Sequence, residues 1–342
     1  AAFPAWKAVE PAKRSEILLK IADRIDENAE LLATVESMDN GKPIRETMTI
    51  DVPYSSDHFR YFAGAIRTEE GSASILKDHV GEFMNIILHE PIGVVGQIVP
   101  WNFPFLMAAW KLAPALAAGD CIVFKPSSTT SLSVLTLVKL IGHLLPPGVL
   151  NVVTGGGSRA GQYMLDHPGF RKLAFTGSTE VGRRFLEYAA RSNLKRIVLE
   201  LGGKSPFVVL DDVADYAAVA AQAAAAAFWN MGENCTANSR IIVPRKRKDA
   251  FTEALLELEN WRIGDPLDPE NNLGSIVSEG QFRTIMGYIE KGKAEGGHVL
   301  TGGAPLAISS GLFIPPTIFD GVTPDMTIVR EEIFGPVTAI LP

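Results

Sequence analysis

Cys235, in the run NMGENCTANSR, is the residue of this chain best suited to covalent chemistry. A lone cysteine is most often a small buried hydrophobe, and Cys121, inside the apolar run CIVF, fits that description. Cys235 instead lies among Gly232, Glu233, Asn234 and Thr236, a polar loop that suits an accessible thiol. A thiolate there can add to a carbonyl and form a covalent intermediate. A thiol of the hydrolase type calls for a histidine base, but none of His58, His79, His89, His143, His167 and His298 sits at a strand end beside a glycine loop. The better candidate base is Glu200, which ends KRIVLE and leads into Leu201-Gly202-Gly203-Lys204. A solvated Glu before a turn is the plainer reading. The glycine pair tips the choice, because it lets backbone or ligand approach closely. Asn102, in VPWNFP, is either an oxyanion donor or a turn residue between two prolines.

Three further patterns surround these groups. Gly177-Ser178-Thr179-Glu180-Val181-Gly182 departs from G-x-G-x-x-G, yet donors at a helix N-terminus still favour a pyrophosphate. Lys125, at the end of CIVFK, supplies a cation at the same sheet edge. Phe103, Met107 and Trp110 recur at i, i+4 and i+7, which makes either a core stripe or one wall of an apolar substrate tunnel.

The elements that must position these residues are legible as texture. Residues 11–38 carry Ile17, Leu18, Ile21 and Ile25 at helical spacing, closed by Asp39-Asn40-Gly41. From Val94, short apolar runs alternate with helical stretches: strands at 94–100, 121–126, 149–155, 172–177 and 195–203, and helices at 104–119, 131–145, from 160, and 179–192. Continuous apolar strands separated by helices predict a parallel sheet covered on both faces, with ligands at the carboxyl ends of the strands. A second α/β stretch follows, with strands PFVVL and SRIIVP around an alanine-rich helix at 215–229. EEIFGPVTAILP ends inside what reads as another strand. Expected, then, is an α/β protein with a Rossmann-like cofactor domain (1–71 and 92–203), a second α/β catalytic domain (204–342) and a small arm (72–91).

Composition bounds the function. The 342 residues, 46% of them hydrophobic, exceed one ordinary core. A net charge of −7 argues against nucleic acid or an anionic membrane as the main partner. Two cysteines cannot build a disulfide scaffold and fit a reducing compartment, so a cytoplasmic location is expected. No apolar run approaches the roughly 18 residues of a membrane span, the first residues show no signal-peptide pattern, and no metal site is expected.

PWNFP, FKPS, FTGSTEVG, LELGGKSP, the cysteine loop and EEIFGPV together resemble the NAD(P)-dependent aldehyde dehydrogenase superfamily, in order and approximate spacing, across essentially the whole chain. The resemblance implies that Cys235 is the nucleophile, Glu200 the general base and Asn102 the oxyanion donor, the last together with the Cys235 backbone N–H. It implies that Lys125 contacts the adenosine ribose, Ser178 and nearby glycines the pyrophosphate, and Glu332 with Phe334 the nicotinamide ribose. Val99, Pro100, Trp101, Ser128, Gly157, Arg159, Gly161, Gly177, Val181 and Leu201 complete the implied cofactor set, and Phe103, Met107 and Trp110 the substrate wall. The implied reaction passes through a thiohemiacetal and a thioester and releases a carboxylic acid, since Glu200 is present to activate water. The wording of GVVGQIVPWNFP and LLPPGVLNVVTG is most similar to members acting on short aliphatic aldehydes. Residues 72–91 resemble the family's oligomerisation arm, so a homodimer or homotetramer is expected. The family's first strands and C-terminal segment are expected to lie outside this chain.

One position departs from the family pattern. Many NAD-preferring members carry Glu three residues after the Lys, where Ser128 stands here. A carboxylate would repel a ribose 2′-phosphate and Ser can donate to it; Arg159 could pair with the same phosphate. NADP is therefore expected to be accepted alongside NAD. Two rival readings differ in class: a catalytically inactive relative that binds or scaffolds, and a cofactor-free Cys hydrolase. The intact Cys235, Glu200 and Asn102 set weighs against the first, and the lack of a His partner against the second.

Overall fold

A computed structural model describes residues 1–257, 261–308 and 311–342. The N-terminal helical region is real but divided. Helices Pro11–Glu27 and Ala29–Asn40 meet at Asn28, whose φ of −120° and ψ of 24° leave the helical well. Leu18, Ile21 and Ile25 are fully buried, and their helix packs on Val52–Ala65, which buries Phe59. The spacing of apolar residues therefore marked the buried face correctly, while the break at Asn28 carried no apolar signal.

Two strands, β1 (Ser72–Lys77) and β2 (Glu82–Ile87), pair as an antiparallel ribbon. Every residue of both strands is exposed, including Ile75, Leu76, Phe83, Met84, Ile86 and Ile87. A lone ribbon is marginal in water, and an exposed apolar area of this kind marks a surface that buries itself against something.

Five parallel strands form the first sheet: β3 (Val94–Ile98), β4 (Cys121–Lys125), β5 (Leu150–Val152), β6 (Lys172–Thr176) and β7 (Arg196–Glu200). Their spatial order is β5-β4-β3-β6-β7. Two strands build outward from β3 on one side and two on the other, so the winding reverses between β3 and β6. A crevice opens at the carboxyl ends of strands at such a reversal. The segments leaving β3 (99–103) and β6 (177–178) both face it. β7 stops at Glu200 instead of running on to Gly203, and residues 201–205 are irregular.

The second sheet holds β8 (Pro206–Val208), β9 (Arg240–Ile242), β10 (His298–Thr301), β11 (Thr317–Asp320) and β12 (Val337–Leu341), in the order β10-β11-β12-β9-β8. All its pairings are parallel except β10 with β11. Helix Tyr216–Phe228 lies on this sheet, with Ala220, Ala223, Ala224 and Ala227 packed in one core with Ile241 and Ile340. Small side chains bring the helix close to the sheet and so fix where its last turn delivers the cysteine loop. Among the described residues no helix is long and apolar enough to cross a membrane.

Candidate active site

A cavity of about 270 Å³ lies where the first sheet's crevice meets the cysteine loop. Its walls are Pro100, Trp101, Asn102, Phe103, Met107, Thr176, Gly177, Ser178, Leu201, Gly202, Cys235, Gln281, Glu332 and Phe334. Cys235 is half-buried, in contrast to Cys121, which is buried within β4. Burial pushes the Cys235 thiol above its ordinary value, and the charges of Glu332 and Glu200 push the same way. The backbone N–H groups of Cys235 and Thr236 oppose them. Asn234 shapes the turn from behind, its Oδ1 accepting the Thr236 N–H at 3.1 Å and the Thr236 hydroxyl at 3.0 Å.

Asn102 is buried, and its Nδ2 donates to the Glu233 carbonyl at 2.9 Å. An amide nitrogen carries two hydrogens, so one N–H remains for an oxyanion. The turn that presents it is held from the N-terminal helices. Asn40 donates to the Trp101 carbonyl at 2.6 Å, and Glu36 accepts the Phe105 N–H at 3.2 Å. The Lys42 ammonium sits 3.6 Å from the centre of the Phe103 ring. Pro104 occupies the first turn of helix Pro104–Ala118, where the missing N–H costs nothing.

On the opposite wall, Glu332 accepts the Gly203 N–H at 3.1 Å. A Cβ on Gly202 would fall 1.9 Å from Glu332 Oε2, so a larger residue there must displace the Glu332 carboxylate. A Cβ on Gly203 would lie 3.6 Å from the Cys235 carbonyl. The glycine pair read in the sequence therefore runs between the acid and the thiol. Phe334 meets Trp101 edge to face, 5.2 Å between centroids. Its φ of +58° is unusual for a bulky residue, and Gln281 holds the turn by donating to the Phe334 carbonyl at 2.7 Å.

Three observations bear on a dinucleotide. Ser178 caps helix Thr179–Arg191, its Oγ accepting the Val181 N–H at 3.4 Å, so the positive end of the helix dipole faces the cavity. Thr176 Oγ1 is buried in the cavity wall with no hydrogen-bond partner among the described residues. Lys125 is buried and gives one of its three donors to the Pro126 carbonyl at 2.9 Å, while burial lowers its pKa. Gly161 closes the turn Gly157–Gly161 beside the Lys125 stem, a Cβ there falling 3.8 Å from Cε. Spare hydroxyl, ammonium and helix-end donors along one crevice fit the sugars and diphosphate of NAD.

Not every expected residue lines the cavity. Pro100, Trp101, Asn102, Phe103, Met107, Gly177, Ser178, Leu201, Cys235, Glu332 and Phe334 do. Val99, Lys125, Ser128, Gly157, Arg159, Gly161 and Val181 do not, and neither does Glu200 at the end of the edge strand β7. Glu200 nonetheless acts electrostatically on both Cys235 and Lys111. Trp110 is exposed and stacks on His58, 5.4 Å between centroids, while Phe103 and Met107 face the cavity. Sequence reasoning missed Thr176, which is adjacent to the named Gly177. It missed Gln281, which has no local signal, and Lys111, whose pKa burial pushes down to about 8 while Glu200 pulls it upward. It also missed the whole buried layer of Glu36, Lys42, Glu46 and Asp51 behind Asn102.

A capped helix N-terminus and a cysteine thiol thus meet where the winding of a parallel α/β sheet reverses. The aldehyde dehydrogenase family model matches residues 1–342, and the chain belongs to that family. Aldehyde dehydrogenase B of Escherichia coli (strain K12) is 48% identical over 344 residues, covering 98% of this chain and 66% of the relative. Acetaldehyde dehydrogenase of Pseudomonas aeruginosa is 47% identical over 349 residues, covering 99% and 68%. The solved structure of the NAD+ complex of a Bacillus cereus aldehyde dehydrogenase superposes with a TM-score of 0.95 at 41% identity, covering 100% of this chain and 69% of that one. The chain thus spans about two thirds of the length of these relatives.

Proposed function

We propose that this chain carries the NAD-dependent oxidation of an aldehyde to a carboxylic acid, with residues 1–71 and 92–203 binding the dinucleotide and 204–342 supplying the thiol. The observation that carries this reading is the single cavity shared by Cys235, Asn102, Ser178 and Glu332. Cys235 Sγ adds to the carbonyl carbon, and the carbonyl π pair moves to oxygen. That oxygen accepts hydrogen bonds from the free N–H of Asn102 and from the Cys235 backbone N–H. As the oxyanion re-forms its C=O on the Cys235 adduct, the hydride of that carbon would leave to the acceptor that bound NAD supplies, giving the thioester, and Ser178, Thr176, Lys125 and Glu332 would hold that cofactor. On the acyl–Cys235 thioester, Glu200 takes a proton from water, whose oxygen attacks the acyl carbon and releases the acid and the thiol. Trp101, Phe103, Met107 and Phe334 give the cavity apolar walls that limit water.

The substrate we favour is a short aliphatic aldehyde, in keeping with a relative named for acetaldehyde. Ser128 in place of Glu favours acceptance of NADP beside NAD, with Arg159 as the partner of the added phosphate. The apolar ribbon β1–β2 supports a homo-oligomer in which it is covered. Absorbance of the reduced nicotinamide, recorded over a panel of aldehydes with each cofactor, tests the reaction, the substrate and the cofactor, and the molar mass in solution tests the oligomer. No turnover with any aldehyde would sink the reading, and a large preference for NAD would remove the role given to Ser128.

A further inference from the structure

The last turn before Cys235 is strained, and the strain is held in place by residues with no part in the chemistry so far. Asn230 (φ 53°, ψ 43°), Met231 (φ 54°, ψ 25°) and Gly232 (φ 66°) are three consecutive left-handed residues. The left-handed region costs a non-glycine residue roughly 1–3 kcal/mol and persists only where the surroundings over-determine it. Here they do. The Asn230 backbone N–H points into the carboxyl of Glu46, at 3.1 Å and 3.3 Å from its two oxygens. The Asn230 side-chain amide donates to the Asn102 carbonyl at 2.9 Å and to the Glu233 carbonyl at 3.1 Å. Asn102 Nδ2 donates to that same Glu233 carbonyl. All four residues are buried.

The donors can be counted. Asn230 has two amide hydrogens and both are committed, one on each side of the cavity's rear wall. The Glu233 carbonyl has two lone pairs and receives two amides. Asn102 therefore has one amide hydrogen committed and one free, and the direction of the free one is set by the bond its partner makes. Glu46 comes from the short helix Ile44–Glu46, far from the loop in sequence, and among the described residues its carboxyl accepts a hydrogen bond only from the Asn230 backbone N–H.

We infer that Glu46 and Asn230 are positioning residues: Glu46 clamps the left-handed Asn230, and Asn230 ties Asn102 to the Cys235 loop so that thiol and oxyanion donor keep one fixed geometry. This rests on the reading of Cys235 as nucleophile and Asn102 as oxyanion donor. A displacement of about 1 Å at such a pair can cost about 10²-fold in rate. The loss falls on the addition step and leaves cofactor binding alone.

The test compares Asn230→Ala, Glu46→Gln and Glu46→Ala with the wild type, per folded molecule, for kcat, for KM of NAD and for the rate of Cys235 alkylation by iodoacetamide. Asn230→Ala is expected to lower kcat about 30- to 100-fold with the KM of NAD changed less than about 2-fold. Glu46→Gln keeps an oxygen to accept the Asn230 N–H and should hold kcat within about 3-fold. Glu46→Ala should lose about 10-fold. A general loss of stability would move none of these ratios once corrected for folded protein. Asn230→Ala with kcat within about 2-fold of wild type overturns the inference. Should that variant not fold, equal kcat in Glu46→Gln and Glu46→Ala overturns it instead. Absence of aldehyde-dependent NADH formation in the wild type, or its survival in Cys235→Ser, would strike the reading of the site itself.

Discussion

The two sides of Asn102 treat their ionisable groups differently. On the cavity side, Cys235 and Glu332 are half-buried, and desolvation raises the pKa of both. On the far side, Glu36, Glu46, Asp51 and Glu233 are buried around Lys42, which pairs with Asp51. Desolvation pushes Glu36 up to about 7 and Glu46 up to about 8, raises Asp51, and carries Glu233 well above its ordinary value; Lys42 pulls each of them down, but less. One force acts in both places. Where the wall opens to a ligand it tunes a reactive group, because an arriving charge can reverse the shift. Where the layer is closed, Glu36 and Glu46 are pushed toward the neutral form and accept the Phe105 and Asn230 N–H groups, while Asp51 pairs with Lys42.

That contrast can be broken most sharply at the thiol. Cys235→Ser should lower aldehyde oxidation by on the order of 10⁴-fold, while Cys121→Ala leaves turnover per folded molecule unchanged; steady-state kinetics on both variants decides. On the closed side, Lys42→Met removes the one cation among four carboxyls and should destabilise by about 3–5 kcal/mol, read as a lower urea midpoint. Asn102→Ala should cost roughly 10²- to 10³-fold in kcat with KM little changed, the signature of a donor used only as charge develops. Gly202→Ala drives a Cβ into Glu332, and a rise of about 10-fold in the KM of NAD is expected.

The closed layer also makes stability depend on pH. Glu46 keeps its proton in the folded state up to about 8 and Glu36 up to about 7, whereas both ionise near 4.5 when unfolded. Between those values the folded state binds more protons, so stability is greatest below about 4.5 from these groups and falls as pH rises toward 8. With two such groups the slope between about 5 and 7 is on the order of 2–3 kcal/mol per pH unit, and it should appear as a falling Tm that Glu46→Gln reduces by about half. A Tm that climbs across this range would contradict the neutral state assigned to these carboxyls.

Much of the front of the site was legible in the sequence, and little of its rear. Cys235, the glycine pair after Glu200 and the Gly177–Ser178 turn advertise themselves through local composition. A polar loop, two adjacent glycines or a strand-to-helix turn each constrain the few residues around them. Glu46 and Asn230 lie 184 positions apart and meet only because helix Ile44–Glu46 packs behind the cysteine loop. Neither carries a local mark, and in the sequence Glu46 is one acidic residue among many. Trp110 shows the opposite error. Helical spacing grouped it with Phe103 and Met107, but spacing assigns a face and says nothing of which neighbour covers that face.

By itself the sequence determined the alternation of strand and helix and singled out Cys235 as the candidate nucleophile, since each follows from local residue types and their period. Only the tertiary structure decided that β3 and β6 become neighbours, that Glu332 presses on Gly202, and that four buried carboxyls stand behind Asn102. These are long-range contacts, set by how the layers pack once solvent is excluded, and the same exclusion moves the ionisation of every group it encloses.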